Sequence, residues 1–69
     1  MVTVVLNGEA FDLPEGATVA DAVRAAGASD EARGVAVALD GEVLPRGEWQ
    51  DTPLAAGAQI EVLRAVQGG

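Results

Sequence analysis

The strongest constraint on the fold is a pair of turn dipeptides, Asn7-Gly8 and Asp40-Gly41, each of which separates two short apolar runs. Asn-Gly and Asp-Gly tolerate the positive φ angles of a type I′ turn, which joins two antiparallel strands through only two residues. Alternating apolar residues on both sides of each dipeptide are typical of strands. The sequence therefore predicts two β-hairpins, one over residues 2–13 and the other over residues 34–45.

The segment between the hairpins predicts one helix, which begins after Thr18 and ends at Gly27. The Thr18 hydroxyl can accept a backbone N–H bond at the helix start, and Asp21 can reciprocate as in a capping box. Gly27 can take the left-handed conformation that commonly follows a helix. A narrow apolar stripe at helical spacing is formed by Val19, Ala22, Val23 and Ala26.

The rest of the chain predicts a loop, an irregular segment and one more strand. Residues 28–34 read as a loop, and residues 46–58 carry turn-forming residues rather than a strand or helix pattern. Trp49 is the one tryptophan, and we expect its ring to hold the irregular segment against the core. A last apolar run, residues 59–66, predicts a fifth strand.

Together these elements predict a small α+β domain in which one helix covers one face of a mixed five-stranded sheet. If the last strand lies parallel to the first in the sheet centre, both apolar strands become buried and the shorter strands lie outside. This is the β-grasp, or ubiquitin-like, fold, and its strand order rests partly on the family resemblance described below. We expect residues 1–66 to form a single domain, followed by a flexible tail over residues 67–69.

The side chains available for chemistry are few. The chain has no Cys, His or Lys, so it lacks a thiolate nucleophile, the commonest general base at neutral pH and a side-chain amine. Its eleven Asp and Glu residues lie mostly singly in turns or next to glycine, with no pair spaced to converge and no calcium-loop pattern. We therefore expect a protein that is not an enzyme and holds no metal.

Charge and hydropathy bear on two further kinds of partner. The formal net charge is −7 and the four arginines are scattered, which argues against nucleic acid because phosphate binding requires clustered Lys or Arg. No apolar run is long enough to span a bilayer, and the first residues lack the basic region of a signal peptide. These features predict a cytoplasmic protein.

Strand parity predicts which apolar side chains remain outside the core. If Val4 and its alternate neighbours on the first strand are buried, Val5 points outward. On the last strand Leu63 and Ala65 share the parity opposite to the buried positions. We expect Val5, Leu63 and Ala65 to form a partner-docking face beside the point where the chain leaves the domain. The alternative is that they are isolated exposed apolar residues, which are ordinary on protein surfaces.

The chain closes on Gly68-Gly69, directly after the predicted last strand. Either this pair is a frayed end, or the terminal carboxylate is the working group of the molecule. The second interpretation is favoured because the rest of the chain offers no other group suited to covalent chemistry.

Four stretches carry a family resemblance that covers essentially the whole chain. They are VALDGEVLPRGEW (residues 37–49), the first Asn-Gly turn, the helix entry GATVADAV (residues 16–23) and the closing glycine pair. They are similar to the corresponding stretches of the ThiS family, the ubiquitin-like bacterial sulfur carriers of thiamine thiazole biosynthesis.

The resemblance implies a mechanism. A ThiF-like adenylyltransferase, related to the enzymes that activate ubiquitin, would use ATP and Mg to adenylate the Gly69 carboxylate. A persulfide sulfur donor would convert the adenylate to a thiocarboxylate, whose sulfur would pass to a ThiG-like thiazole synthase. Gly68 and Gln67 would thread the partner's active site, and the chain itself would bind no cofactor.

Three other readings remain open from the sequence. A MoaD-like small subunit of molybdopterin synthase shares the fold, tail and chemistry, although the stretch at residues 45–49 and the short length favour the thiamine carrier. A ubiquitin-like protein modifier would be conjugated to other proteins through Gly69. A plain interaction domain would leave the tail without a role.

Overall fold

The computed structural model describes residues 1–27 and 34–64 of the chain. The elements in chain order are β1 (Val2–Leu6), β2 (Glu9–Leu13), α1 (Val19–Ala25), β3 (Val35–Leu39), β4 (Glu42–Val43), a 3₁₀ helix (Arg46–Glu48) and β5 (Gln59–Arg64). The predicted order of hairpin, helix, hairpin, irregular segment and strand is confirmed. Residues 28–33 of the predicted loop and residues 65–66 of the predicted last strand lie outside the described part.

The first hairpin forms around the Asn-Gly dipeptide. Asn7 has φ 50° and Gly8 has φ 85°, the left-handed values that only glycine and a few short polar residues adopt readily. The antiparallel register pairs Leu6 with Glu9 and continues to Val2 and Leu13. The side chain of Asn7 has a second role, because its Oδ1 accepts the backbone N–H of Val62 at 2.8 Å.

The second hairpin repeats this arrangement. Asp40 has φ 50° and Gly41 has φ 88°, and the two-residue turn pairs Leu39 with Glu42. Asp40 also contacts β5, since its Oδ1 accepts the N–H of Gln59 at 2.9 Å and its own N–H donates to the Gln59 carbonyl at 2.8 Å. Strand β4 ends at Val43, one residue before the predicted Leu44, ahead of Pro45.

The two hairpins lie on opposite sides of β5. The sheet order is β2-β1-β5-β3-β4, with β5 parallel to β1 and antiparallel to β3. Parallel strands need a long crossover connection, and here the crossover includes α1 and the second hairpin. The first and last strands therefore lie side by side, and the predicted β-grasp architecture is confirmed.

Helix α1 covers one face of this sheet. Its four buried residues, Val19, Ala20, Ala22 and Val23, pack in one cluster with buried residues of β1 and β5. Thr18 forms the predicted capping box with Asp21, and its backbone N–H donates to Asp21 Oδ2 at 2.8 Å. Gly27 has φ 89° and ends the helix as predicted. No helix in residues 1–27 and 34–64 is long and apolar enough to cross a membrane.

Trp49 holds the irregular segment against the core, as predicted. Its side chain is 2% exposed, and its indole N–H donates to the Leu44 carbonyl at 3.0 Å. The Trp49 carbonyl accepts the N–H of Ala20 at 3.1 Å, which ties the segment to the first turn of α1. Because its indole is buried, Trp49 can also report unfolding by fluorescence.

The Asn7 contact with β5 yields a stability prediction. Replacing Asn7 with Ala removes the acceptor for the Val62 N–H and places a residue that disfavours φ 50° in the turn, so we expect a loss of about 2–3 kcal/mol. Asn7→Gly keeps the turn conformation and loses only the side chain, so the loss should be about 1 kcal/mol. Urea unfolding followed by Trp49 fluorescence measures both variants. An Asn7→Gly variant as stable as wild type would contradict a stabilising role for the Asn7–Val62 bond.

Candidate functional site

The sheet face opposite α1 carries the predicted docking residues that the structure describes. Residues of β1 and β5 alternate in burial, and Val4 and Ile60 of the helix side are 0% and 1% exposed. Val5 is half-buried on the opposite face, and Leu63 there is 63% exposed. The predicted orientation of both side chains is therefore confirmed, while their docking role stays a prediction.

The register separates these two residues along the sheet. Val5 lies across from Gln59 in the parallel pair, whereas Leu63 lies across from Ala36 in the antiparallel pair. Four positions of β5 separate Gln59 from Leu63, a distance of about 13 Å at the rise of an extended strand. Val5 and Leu63 therefore share a face without forming one contiguous cluster.

Leu63 belongs instead to a second group of apolar residues, which we call the sheet patch. Residues directly opposite one another in a ladder share a face, so the register places the neighbours of Leu63 on the open side. Val43 is 79% exposed, Ala36 is exposed and Ala38 is half-buried. The sheet patch consists of Ala36, Ala38, Val43 and Leu63.

Three of these four residues were absent from the sequence prediction, although a signal for them existed. A two-residue turn at Asp40-Gly41 fixes the pairing of Leu39 with Glu42 and of Ala38 with Val43. Val43 must then lie on the face opposite to Leu39, which packs against the core. The position of β3 beside β5 completes the patch, and this requires the three-dimensional strand order.

One acidic residue, Glu61, lies beside the sheet patch. Glu61 pairs directly with Ala38 and is exposed on the same face. A partner that covers the patch must either leave the Glu61 carboxylate in contact with water or supply a cation for it, because an unpaired buried charge is costly. Together with the formal net charge of −7, this favours a partner surface with an apolar centre and basic residues around it.

The carboxylates of the described residues do not assemble into a metal site. Within residues 1–27 and 34–64, no three side chains among His, Cys, Asp and Glu lie close enough to hold a metal ion. The hydrogen bond from the Thr18 backbone N–H, with help from Arg24, holds the pKa of Asp21 below its usual range. Asp21 therefore stays ionised at neutral pH and acts as a helix cap rather than as a proton donor.

A shallow groove lies on the helix side, between the first hairpin and the end of α1. Its volume is about 270 Å³, and its lining includes Leu6, Phe11 and Ala26, with Glu9 as the one acidic side chain. A single carboxylate beside apolar walls offers no acid–base pair. The groove also lies on the face of the sheet away from the sheet patch.

The remaining predicted site residues are Ala65, Gln67, Gly68 and Gly69, and all four lie outside the described residues. What the structure does describe is the strand that leads into them. Leu63 and Arg64 are the last described residues of β5, and they lie on opposite faces of the sheet because strand side chains alternate. Leu63 joins the sheet patch, and Arg64 lies on the side of the helix.

Comparisons with known proteins give a consistent result. The family model described as the ThiS family matches residues 4–69. A crystal structure of the thiamine biosynthesis protein ThiS from Geobacter metallireducens is 28% identical, with a TM-score of 0.76, and the alignment covers 99% of this chain and 100% of that one. A solution structure of a thiamine biosynthesis protein from the same organism is 30% identical, with a TM-score of 0.78, over 99% of this chain and 88% of that one. No curated protein matches the chain.

Proposed function

This chain belongs to the ThiS family, the sulfur carriers of thiamine biosynthesis, and we propose that it carries its sulfur on the carboxylate of Gly69. Members of this family are carriers rather than enzymes. The observation that carries the proposal is the extent of the family match, which runs to residue 69 and so includes the glycine pair. The chain has no Cys, so a side-chain thiol or persulfide is not an alternative carrier group.

The chemistry begins with activation, because a free carboxylate is a poor electrophile. A ThiF-like adenylyltransferase joins the Gly69 carboxylate to the α-phosphate of ATP, with Mg as counter-ion, and pyrophosphate leaves. The terminal sulfur of a persulfide donor then attacks the carbonyl carbon and displaces AMP, which gives an acyl disulfide. A thiol of the partner breaks the sulfur–sulfur bond, leaving a thiocarboxylate on Gly69 and a disulfide on the partner. The thiocarboxylate sulfur then passes to a ThiG-like thiazole synthase.

Glycine at the last two positions suits this role. A residue without a Cβ can pass through a narrow channel and adopt backbone angles that are closed to other residues. Gly68, with Gln67 before it, threads the active site of the partner in this scheme, and the reacting carboxylate lies at the far end. The acids, bases, nucleotide site and thiols that the chemistry needs all belong to the partners.

The sheet patch and Val5 form the docking face in this proposal. Leu63 is in the patch and lies six positions before Gly69, so a partner that covers the patch also holds the strand from which the terminus continues. Binding energy gained at a surface away from the reacting atoms can be used to position those atoms. An apolar patch bordered by Glu61 matches a partner surface that has an apolar centre with basic residues around it.

Intact-mass spectrometry tests the carrier chemistry. After incubation with the cognate adenylyltransferase, ATP, Mg and a sulfur source, the chain should gain the mass difference between one sulfur and one oxygen atom. Deleting Gly69 should abolish the gain and leave the urea unfolding curve unchanged, because we expect the domain to end before the glycine pair. A covalent conjugate to a target protein in place of the mass gain would contradict the proposal and favour a protein modifier.

Two alanine variants test the docking face with the same chemical change. Ala36 and Ala55 are both exposed, but Ala36 lies in the sheet patch and Ala55 lies in the irregular segment before β5, outside the strands of the sheet. Ala36→Glu should raise the KM of the adenylyltransferase for this carrier about tenfold, which is equivalent to a loss of about 1.4 kcal/mol of binding free energy. Ala55→Glu should leave the KM within about twofold of wild type, because its position lies outside the proposed docking face. Equal effects of the two variants would show that the patch is not the docking surface.

Leu63→Glu provides a second test of the same face. Leu63 is largely exposed, so the domain should stay folded while the KM rises. Unfolding of this variant, measured by Trp49 fluorescence, would mean that Leu63 contributes to the core.

A further inference from the structure

The last described residue of β5 makes a contact that neither the fold prediction nor the docking face accounts for. Arg64 pairs with Val35 at the end of the β3–β5 ladder, and its guanidinium Nη2 donates to the carbonyl of Ala26 at 3.1 Å. Ala26 is the C-cap residue of α1. The carbonyls of a last helical turn lack intrahelical donors and carry partial negative charge, so a cation there is favourable. The contact joins residues 38 positions apart in the sequence.

Gly27 makes room for this contact. Its φ of 89° alone favours glycine, and a Cβ built on Gly27 would lie 3.0 Å from the same Arg64 Nη2 atom. The residue after the helix and the residue at the end of β5 are therefore fitted to each other. Any other residue at position 27 would have to displace the guanidinium as well as adopt the left-handed conformation.

We propose that Arg64 is a positioning residue, which fastens β5 to the C-terminus of α1 and so fixes the point from which the arm, meaning the sequence after Arg64 that ends in the carboxylate, continues toward the partner. This rests on the proposed function. Five residues follow Arg64, and five residues reach at most about 17 Å when extended. Loss of the anchor lets Arg64 separate from Val35 while the Leu63–Ala36 pair stays in place, which adds one residue to the arm.

A longer arm lowers the effective concentration of the carboxylate at the adenylation site of a partner already docked on the sheet patch. Docking itself does not change, because the patch residues lie on the opposite face from Arg64. Loss of the anchor should therefore affect kcat and KM differently. The kcat for adenylation falls, and the KM for the carrier stays near its wild-type value.

The test uses the full chain with its cognate adenylyltransferase and measures pyrophosphate release. Arg64→Ala should lower kcat about fivefold or more, the scale expected for ordering one additional residue, with the KM within about twofold. Arg64→Lys keeps a cation at the helix C-terminus and should recover most of the lost kcat. One glycine inserted between residues 64 and 65 should reproduce the kcat loss while the anchor is intact. When the insertion is combined with Arg64→Ala, the fold-loss in kcat should be smaller than the product of the two separate fold-losses.

The outcomes separate this inference from the proposed function. If the wild-type chain gains no thiocarboxylate, the proposed function fails and the role of Arg64 in it fails as well. If the wild-type chain is activated and Arg64→Ala matches it in both constants, the positioning role alone is overturned. A raised KM with unchanged kcat would place Arg64 in the docking surface and would equally overturn the positioning role. Trp49 fluorescence confirms that each variant is folded, and the inserted glycine tests arm length even if Arg64→Ala is unstable.

Discussion

Strands β1 and β5 lie side by side in the centre of the sheet, where Val4 and Ile60 are almost completely buried. This parallel pairing joins the first and the last of the described strands, and the other elements depend on it. The first hairpin extends the sheet from β1, the second extends it from β5, and α1 covers the central strands on one side. Because β5 is a central strand, its last described residue, Arg64, lies in the interior of the sheet rather than on an edge strand.

Two turn residues strengthen the central strand. The side chains of Asn7 and Asp40 each accept a backbone N–H from β5, at Val62 and Gln59. The Asn7 side chain continues the hydrogen bonding to β5 past the end of β1. The Asn7 backbone N–H donates to the Ile60 carbonyl, and the Asn7 side chain accepts the N–H of Val62, which is the next available donor of β5. A buried or half-buried backbone donor without a partner is costly, so these contacts let β5 continue beyond its neighbour toward the residues that follow.

The two faces of the sheet have different roles, one in stability and the other in function. The helix side of the sheet contains the core and the Arg64 anchor, and the open side contains the sheet patch. The ThiS family, to which the chain belongs, consists of carriers rather than enzymes. In the proposed mechanism the folded surface binds the partner, the arm places the Gly69 carboxylate in the partner's active site, and that carboxylate is the one group that reacts.

Much of the fold could be predicted from the sequence because the signals are local. The two turn dipeptides, the Thr18–Asp21 cap, Gly27 and Trp49 each act on residues close in the sequence or on a single burial preference. The contacts of Asn7 with Val62 and of Arg64 with Ala26 could not be predicted, since they join residues 55 and 38 positions apart. Val43 was within reach of prediction through the turn register, whereas the sheet patch as a whole required the order of the strands. The docking role of Val5 and Leu63 and the chemistry of Gly69 stay predictions.

The central claim is that the folded surface recognises the partner and the Gly69 carboxylate alone reacts. A synthetic chain that ends in a Gly69 carboxamide separates these roles, because it keeps every docking residue and removes the nucleophilic oxygen. In an ATP–pyrophosphate exchange assay with the cognate adenylyltransferase, this chain should support no exchange. It should inhibit exchange on the unmodified chain competitively, with an inhibition constant close to the KM of that chain. Exchange supported by the carboxamide chain, or a failure to compete, would contradict the account.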